Sequence, residues 1–199
     1  PAVYPQCLHA APLSPAPLAS HAPPPPRCRL RAPHERDIPH IFDATRTPGF
    51  NDGMLWDAPA SPDELRTPLA NHLQAWAEGK AFGFTIESLH EGDFLGRIGI
   101  RATEAGGLWN IGFFLHPKHQ GQGYMREAAG AILRFGFEAL GADMIEACHA
   151  VWNTASRRVL EAIGMTLREH LPKGYQKRGQ WVAEDRLAID HATWEALAP

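Results

Sequence analysis

The chain has 199 residues, 44% of them hydrophobic, with 19 Lys plus Arg against 22 Asp plus Glu for a formal net charge of -3. That length supports one well-buried domain with room for a tail, and the weakly acidic balance argues against the broad basic surface that a direct nucleic-acid grip requires. No apolar run approaches the roughly 20 residues of a membrane helix, and Cys7, Cys28 and Cys148 are odd in number, widely spaced and free of any CxxC pair, which points to a reducing, cytoplasmic setting rather than a disulfide framework.

Residues 1–26 hold nine of the eighteen prolines. Such a stretch sustains neither a helix nor a ladder and predicts an extended tail ahead of a domain spanning 27–199. A proline-rich docking segment is the competing reading; a signal peptide is disfavoured, because proline interrupts every apolar core and no basic start precedes it. RCRLRA (27–32) alternates as a first strand does. PHERDIPHIFDATR (33–46) places Ile38, Ile41 and Phe42 at helical spacing. SPDELRTPLANHLQAWAEG (61–79) opens on a helix-start signal and stops at Gly79, with Pro68 predicting a kink or two helices. AFGFTIESL (81–89), FLGRIGIRA (94–102) and LWNIGFFLH (108–116) read as strands separated by the turn-formers HEGD and TEAGG, an antiparallel meander. YMREAAGAILRFGFEALG (124–141) is an amphipathic helix with Ala129, Ile132, Leu133, Gly136 and Leu140 inward. DMIEACHAVW (143–152) is a strand, NTASRRVLEAIG (153–164) a capped helix, and MTLREHL (165–171) and QWVAEDRLAID (180–190) are two final strands joined by the loop PKGYQKRG.

The informative order is strand, Gln120-Gly121-Gln122-Gly123, helix. The first amides of a helix have no internal partner and carry the positive end of its dipole. Glycines let the backbone approach a ligand closely. Together these can cradle a phosphate or pyrophosphate; the alternative is a tight strand-to-helix connection without a ligand. The Gly-Lys-Ser/Thr ending of a Walker loop and the third glycine of the dinucleotide fingerprint are both absent.

HPKHQGQGYMREA (116–128) followed by VWNTASRRVLEAIGM (151–165) resembles the GNAT superfamily of acyl-CoA-dependent N-acyltransferases, and within it the branch of ribosomal-protein N-terminal acetyltransferases. The resemblance runs from about Arg27 to Trp194. It implies an α/β domain with a mixed, mostly antiparallel seven-stranded sheet, helices on both faces, and two central strands (108–116 and 144–151) that splay apart. It implies acetyl-CoA as the acyl donor, with Gln120, Gly121, Gln122, Gly123, Tyr124, Met125 and Arg126 around its pyrophosphate; Met125 stands where the family carries Gly or Ala. A backbone N–H near Phe114 or Leu115 is the expected oxyanion donor.

Asn153 is a good helix N-cap. By the resemblance it also hydrogen-bonds the pantetheine arm, with Ser156 near the thioester sulfur either protonating the thiolate or only positioning it. Leu160 occupies the position of the tyrosine acid found in many relatives. Arg157 and Arg158 either neutralise cofactor phosphates or form a solvated face. For the base, Glu146, Glu87 and a water relay stay open, while Asn110 cannot accept a proton. His116, His119 and His149 have no spacing that suggests a metal site, and Cys148 reads as a small buried strand residue ahead of a nucleophile.

The resemblance implies acyl transfer, with acetyl as the first choice, to a primary amine: a protein N-terminal α-amine first, as of a ribosomal protein, a small-molecule amine second. A non-catalytic acyl-CoA-binding module is the reading from another class. The acceptor is set by TRTPGFNDGMLWDAPASP (45–62) and LPKGYQKRGQ (171–180), where Lys173, Lys177 and Arg178 suit an acidic partner or a soluble loop. Assembly as a homodimer is left open.

Overall fold

The structure is a computed structural model that describes residues 26–197; the predicted tail lies, but for Pro26, outside the described residues. Seven strands form one sheet in the order β1-β2-β3-β4-β5-β7-β6. They are β1 (Cys28–Arg31), β2 (Ala81–Ser88), β3 (Phe94–Ala102), β4 (Leu108–Leu115), β5 (Met144–Ala150), β6 (Thr166–Lys177) and β7 (Gln180–Asp190). Every pairing is antiparallel except β4 with β5, where the chain returns through α3 to the starting end of the sheet. The helices are α1 (Ile38–Thr45), α2 (Arg66–Ala77), α3 (Tyr124–Arg134), α4 (Thr154–Ala162) and α5 (His191–Leu197). None of the described helices is long and apolar enough to cross a membrane.

The period of two sorts each strand between the faces. Phe84, Ile86, Ile98, Ile100, Ile111, Ile145, Leu187 and Ile189 pack with Ala128, Ala129, Ile132 and Leu133 of α3 and Leu160 of α4 into one core. The opposite face carries Arg31, Thr85 and Glu87. There Asp37, just ahead of α1, accepts hydrogen bonds from the Thr85 hydroxyl at 2.7 Å and from Arg31 at 2.6 and 3.0 Å. Helices therefore cover both faces, as expected.

The central splay is present. β4 and β5 stay in register only through Leu108↔Met144, Trp109↔Ile145 and Asn110↔Glu146. Beyond that point β4 continues with β3 as far as Leu115 and β5 with β7 as far as Ala150, so a gap opens between them.

Four local expectations are revised. The helix expected over 124–141 ends at Arg134 and widens into one π turn, in which Leu140 N–H donates to Phe135 O at 3.2 Å. That turn lays Gly136 against the sheet, where an added Cβ would sit 2.5 Å from Ile145 Cδ1. Pro68 makes no kink: a 3-10 turn over Pro62–Leu65 leads into α2 at Arg66, so proline falls in the first helical turn, where its missing N–H breaks no bond. The loop expected at 172–179 is mostly strand. β6 runs on to Lys177 with a register shift between Leu171 and Tyr175, and the reversal is made by Arg178 (φ 50) and Gly179 (φ 79), the positive pair of a tight hairpin. Finally, α5 was not expected. Asp190 Oδ1 caps it by accepting from Thr193 N–H at 2.8 Å, and Trp194 stacks on Phe137 at 5.1 Å.

Candidate active site

Gly121 and Gly123 have φ of 73° and 84°, a region that costs a Cβ-bearing residue energy. Gly123 is the N-cap of α3 and caps nothing with a side chain. The backbone donors resume only with Glu127 N–H on Gly123 O at 3.3 Å. Among the described residues the N–H groups of residues 121 to 126 donate to no protein acceptor, and they converge at the positive end of α3. This is the pattern of an anion cradle. Gln120 shapes it: its Nε2 donates to Leu115 O at 3.2 Å, tying the turn to the end of β4. Met125, which stands where the family carries Gly or Ala, turns its side chain into the core at 4% exposure, so its bulk points away from the turn.

Arg27 is a member of this site that the sequence reading did not single out. Its guanidinium lies 4.7 Å from the Tyr124 ring centroid and donates to Gln122 O at 3.0 Å. Glu127 would set a negative charge beside the cradle. It is occupied instead by the Arg27 and Cys28 amides at 2.6 and 3.0 Å and by Arg27 Nε at 3.3 Å.

The gap lies next to the cradle. His116 N–H donates to Leu95 O at 2.8 Å, so the amides alternating with it along β4, including that of Phe114, face β3. Those of Phe113 and Leu115 face the gap; Gln120 reaching Leu115 O from that side agrees. Of the two residues expected to offer an oxyanion donor, Leu115 has the N–H directed into the gap. Phe114 contributes its ring, edge-on to Phe50 at 5.5 Å.

Across the gap, Asn153 Oδ1 accepts from Ser156 N–H at 3.1 Å as the cap of α4, which leaves the Nδ2 group facing the cleft. Ser156 and Arg158 also face it. Arg157 is committed elsewhere, to Glu161 at 2.8 Å and Asp185 at 3.8 Å. Leu160 is buried in the core at 1% exposure.

One cleft of about 1490 Å³ runs through the gap. Its first lobe is lined by Gln120, Gly123, Arg126, Asn153 and Ser156; its second, on the α1 and α2 side, by Arg97, Asn110, Phe114, Tyr175 and Glu184. Residues 46–60 form the rim of the second lobe. Lys177 Nζ fastens them by donating to Met54 O at 2.9 Å and Trp56 O at 2.8 Å, with Asp57 at 2.8 Å. Tyr175 Oη adds a bond to Asp52 O at 3.1 Å.

The carboxylates sort themselves by placement. Glu87 is 3% exposed on β2, away from the cleft, and ion-paired with Arg29, Arg31 and Arg36. Burial raises its pKa but the paired Arg29 and Arg31 outweigh this, so it is held below the usual carboxylate range. Glu146 lies beside the main cleft, 3.6 Å from Arg186 Nε and 3.4 Å from Asn110 Nδ2. Glu184 is different: it lines the cleft, and burial pushes its pKa up against the partial opposition of Arg186 and His149. Sequence reading missed it, because only the order β5-β7 turns this position of β7 toward the gap. His149 Nδ1 is bonded to Ala150 O at 2.8 Å while its buried Nε2 has no protein partner. Burial pushes the Cys148 thiol up, so it stays protonated rather than serving as a thiolate. His116 is bonded to Asp43 at 3.0 Å.

Comparison with known proteins agrees with this geometry. Residues 27–166 match the acetyltransferase (GNAT) domain. The uncharacterized N-acetyltransferase YnaD of Bacillus subtilis is 35% identical over 86 residues, 43% of this chain and 51% of that protein, so the match spans about half of YnaD. Two solved structures share the fold. One is RimL, a ribosomal L7/L12 alpha-N-protein acetyltransferase in complex with coenzyme A (TM-score 0.75, 20% identity, covering 82% of this chain and 94% of RimL). The other is spermidine N-acetyltransferase from Vibrio cholerae in complex with CoA and spermine (TM-score 0.74, 19% identity, 85% and 98%). The chain therefore belongs to the acetyltransferase (GNAT) domain family.

Proposed function

We propose that the chain transfers an acetyl group from acetyl-CoA to a primary amine, with a protein N-terminal α-amine as the preferred acceptor. The observation that carries this reading is the run of unpartnered amides at residues 121 to 126 opening into a cleft that passes between the parted strands β4 and β5. The donor set suits a diphosphate: several convergent N–H groups, a helix dipole and the Arg27 guanidinium. The bound thioester supplies an activated carbonyl and a good leaving group. The protein's own residues do the rest. Asn153 Nδ2 orients the pantetheine arm, the Leu115 N–H stabilises the negative charge that develops on the carbonyl oxygen, and Ser156 stands at the sulfur. Glu184 takes the proton of the incoming ammonium, directly or through a water, in preference to Glu146, whose carboxylate is engaged outside the cleft.

The α-amine is favoured by acidity. It titrates near 7.7–8.0, against about 10.4 for a lysine, so a carboxylate raised by burial is closer to the base it needs. The fold shared with RimL supports the same acceptor but does not choose it. Titration calorimetry with acetyl-CoA, followed by thiol release across an amine panel, tests the reading. Saturable binding with thiol release on N-terminal peptides is expected. No binding overturns it, and binding without release from any amine leaves the non-catalytic module instead.

A further inference from the structure

Gly174 of β6 is a glycine that its own backbone does not require. Its φ lies outside the left-handed region, so the chain at this position accepts a side chain. What excludes one is Glu184. A Cβ on Gly174 would sit 2.5 Å from both Cγ and Oε2 of Glu184 and 2.8 Å from its Cβ. The Glu184 side chain therefore lies against the main chain of β6, in space that any other residue would fill. Gly174, Tyr175 and Glu184 all line the cleft.

The sequence builds this seat locally. β6 is an edge strand, and its register with β7 passes from Leu171↔Glu184 to Tyr175↔Val182, so Pro172, Lys173 and Gly174 stand opposite Ala183 alone. Pro172 has no N–H to give a ladder and suits a bulge on an edge, and bulges re-aim side chains beside active sites. Here the bulged main chain meets the Glu184 side chain from the β6 side, while Ala150, the last residue of β5, pairs with Glu184 on the other. Among the described residues the carboxylate forms no hydrogen bond or ion pair; burial acts on it, opposed by the charges of Arg186 and His149. Its position is thus set by shape, and its oxygens stay free to accept a proton.

We propose that Gly174 is the positioning residue for the base: the bulge at residues 172–174 seats the Glu184 carboxylate in the cleft by leaving out one side chain, with no polar partner to compete for the incoming proton. The proton passes from the ammonium nitrogen to a Glu184 oxygen and leaves the amine lone pair free to attack. This inference rests on Glu184 as the base and says what aims it. The magnitude follows from the contact. An ordinary approach of two carbons is about 3.5 Å, so a methyl group at position 174 drives the carboxylate off its seat by about 1 Å, and a misplacement of that size costs a positioned reaction about a hundredfold. The titratable and charged groups around Glu184 are Arg186 on its own strand, Cys148 and His149 on β5 and Tyr175 on β6. None of them changes in the variant, so a shift in the pH profile reports the carboxylate leaving its buried seat.

Gly174→Ala, Glu184→Ala and the pair are compared with wild type for acetyl-CoA affinity by calorimetry, for melting temperature, and for thiol release with an N-terminal peptide as a function of pH. Gly174→Ala is expected to keep its acetyl-CoA affinity, to lose at least about tenfold in kcat, and to move the acidic limb of kcat/KM to lower pH. In the Glu184→Ala background the same substitution should change kcat by less than about twofold. The pair should also melt higher than Gly174→Ala alone, because the obstruction is gone; if Gly174→Ala by itself fails to fold, a pair that folds and binds acetyl-CoA is the supporting result. A Gly174→Ala enzyme within about threefold of the wild-type kcat and with an unmoved acidic limb overturns the inference. So do equal fractional losses in both backgrounds, or a pair no more stable than Gly174→Ala. Undiminished kcat in Glu184→Ala alone removes the base, and the inference with it, while leaving acyl transfer intact. Binding without release from any amine removes the acyltransferase reading as well.

Discussion

Replacing Gly123 with aspartate strikes the cradle at its centre. The new carboxylate would compete for the free amides of residues 124 to 126 and face the phosphates at close range. Two unit charges about 4 Å apart in an effective dielectric near 20 repel by about 4 kcal/mol, which is about a thousandfold in Kd. The backbone effect is smaller. At φ 84° an aspartate loses about 1 kcal/mol, and its Cβ would meet only the flexible end of Arg27, Nη2 at 3.2 Å. For a domain of this size that is a Tm shift of about 2–4 °C. Gly79→Asp is the control, since Gly79 has a φ of 69° and nothing within 4 Å of an added Cβ. Calorimetric titration with acetyl-CoA, paired with thermal melts, separates the two effects. A Gly123→Asp protein that melts within a few degrees of wild type yet binds acetyl-CoA within about threefold of it would falsify the cradle assignment.

Glu184→Gln should lower kcat by about a hundredfold or more with acetyl-CoA affinity retained. In the wild type kcat/KM should fall as pH drops through the raised pKa of Glu184, above the ordinary glutamate range, since only the carboxylate accepts a proton; persistence of that acidic limb in the Gln variant would count against the role. Ser156→Ala should spare acetyl-CoA binding and reduce single-turnover acetyl transfer; equal rates would leave Ser156 as a spacer. Asp37→Asn should cost about 2 kcal/mol in urea denaturation, because a buried carboxylate gripped by Arg31 is lost. Burial raises the Asp37 pKa, but Arg31, the His34 amide and Thr85 outweigh it and the net shift is downward. Its contribution is therefore full above the unfolded value of about 3.9 and disappears as pH falls through the lower folded value; the variant should show a flatter acid-denaturation profile.

The cradle and the capped helix α4 were legible because their signals are local. Glycine at positive φ and asparagine at an N-cap are required by the backbone within a few residues. The meander was likewise written in alternation, whereas the mixed sheet and the neighbouring central strands came only with the family resemblance. What could not be read was which face of which strand borders the gap. Glu184, Arg97 and Glu146 all alternate on their strands like ordinary surface residues, and only the order β3-β4-β5-β7 sets the first two in the cleft and the third beside it. Arg27 was hidden for a similar reason: its link to Glu127 spans a hundred residues. The helix α5 did carry a usable signal, Asp190 as a cap before a short amphipathic run, but seven residues offer less than two turns of periodicity.

The ammonium of Lys177, bound to three oxygens from residues 54 to 57 and 10% exposed, has a bearing on selectivity. This one cation ties a long surface segment to a hairpin more than a hundred positions away. Under the proposed function acceptors arrive past this tied segment, and the tie favours sorting them by complementarity to a standing contour rather than by a segment that orders around each guest. Cutting this staple, as with Lys177→Met, would trade selectivity for promiscuity long before it touched the chemistry of acetyl transfer.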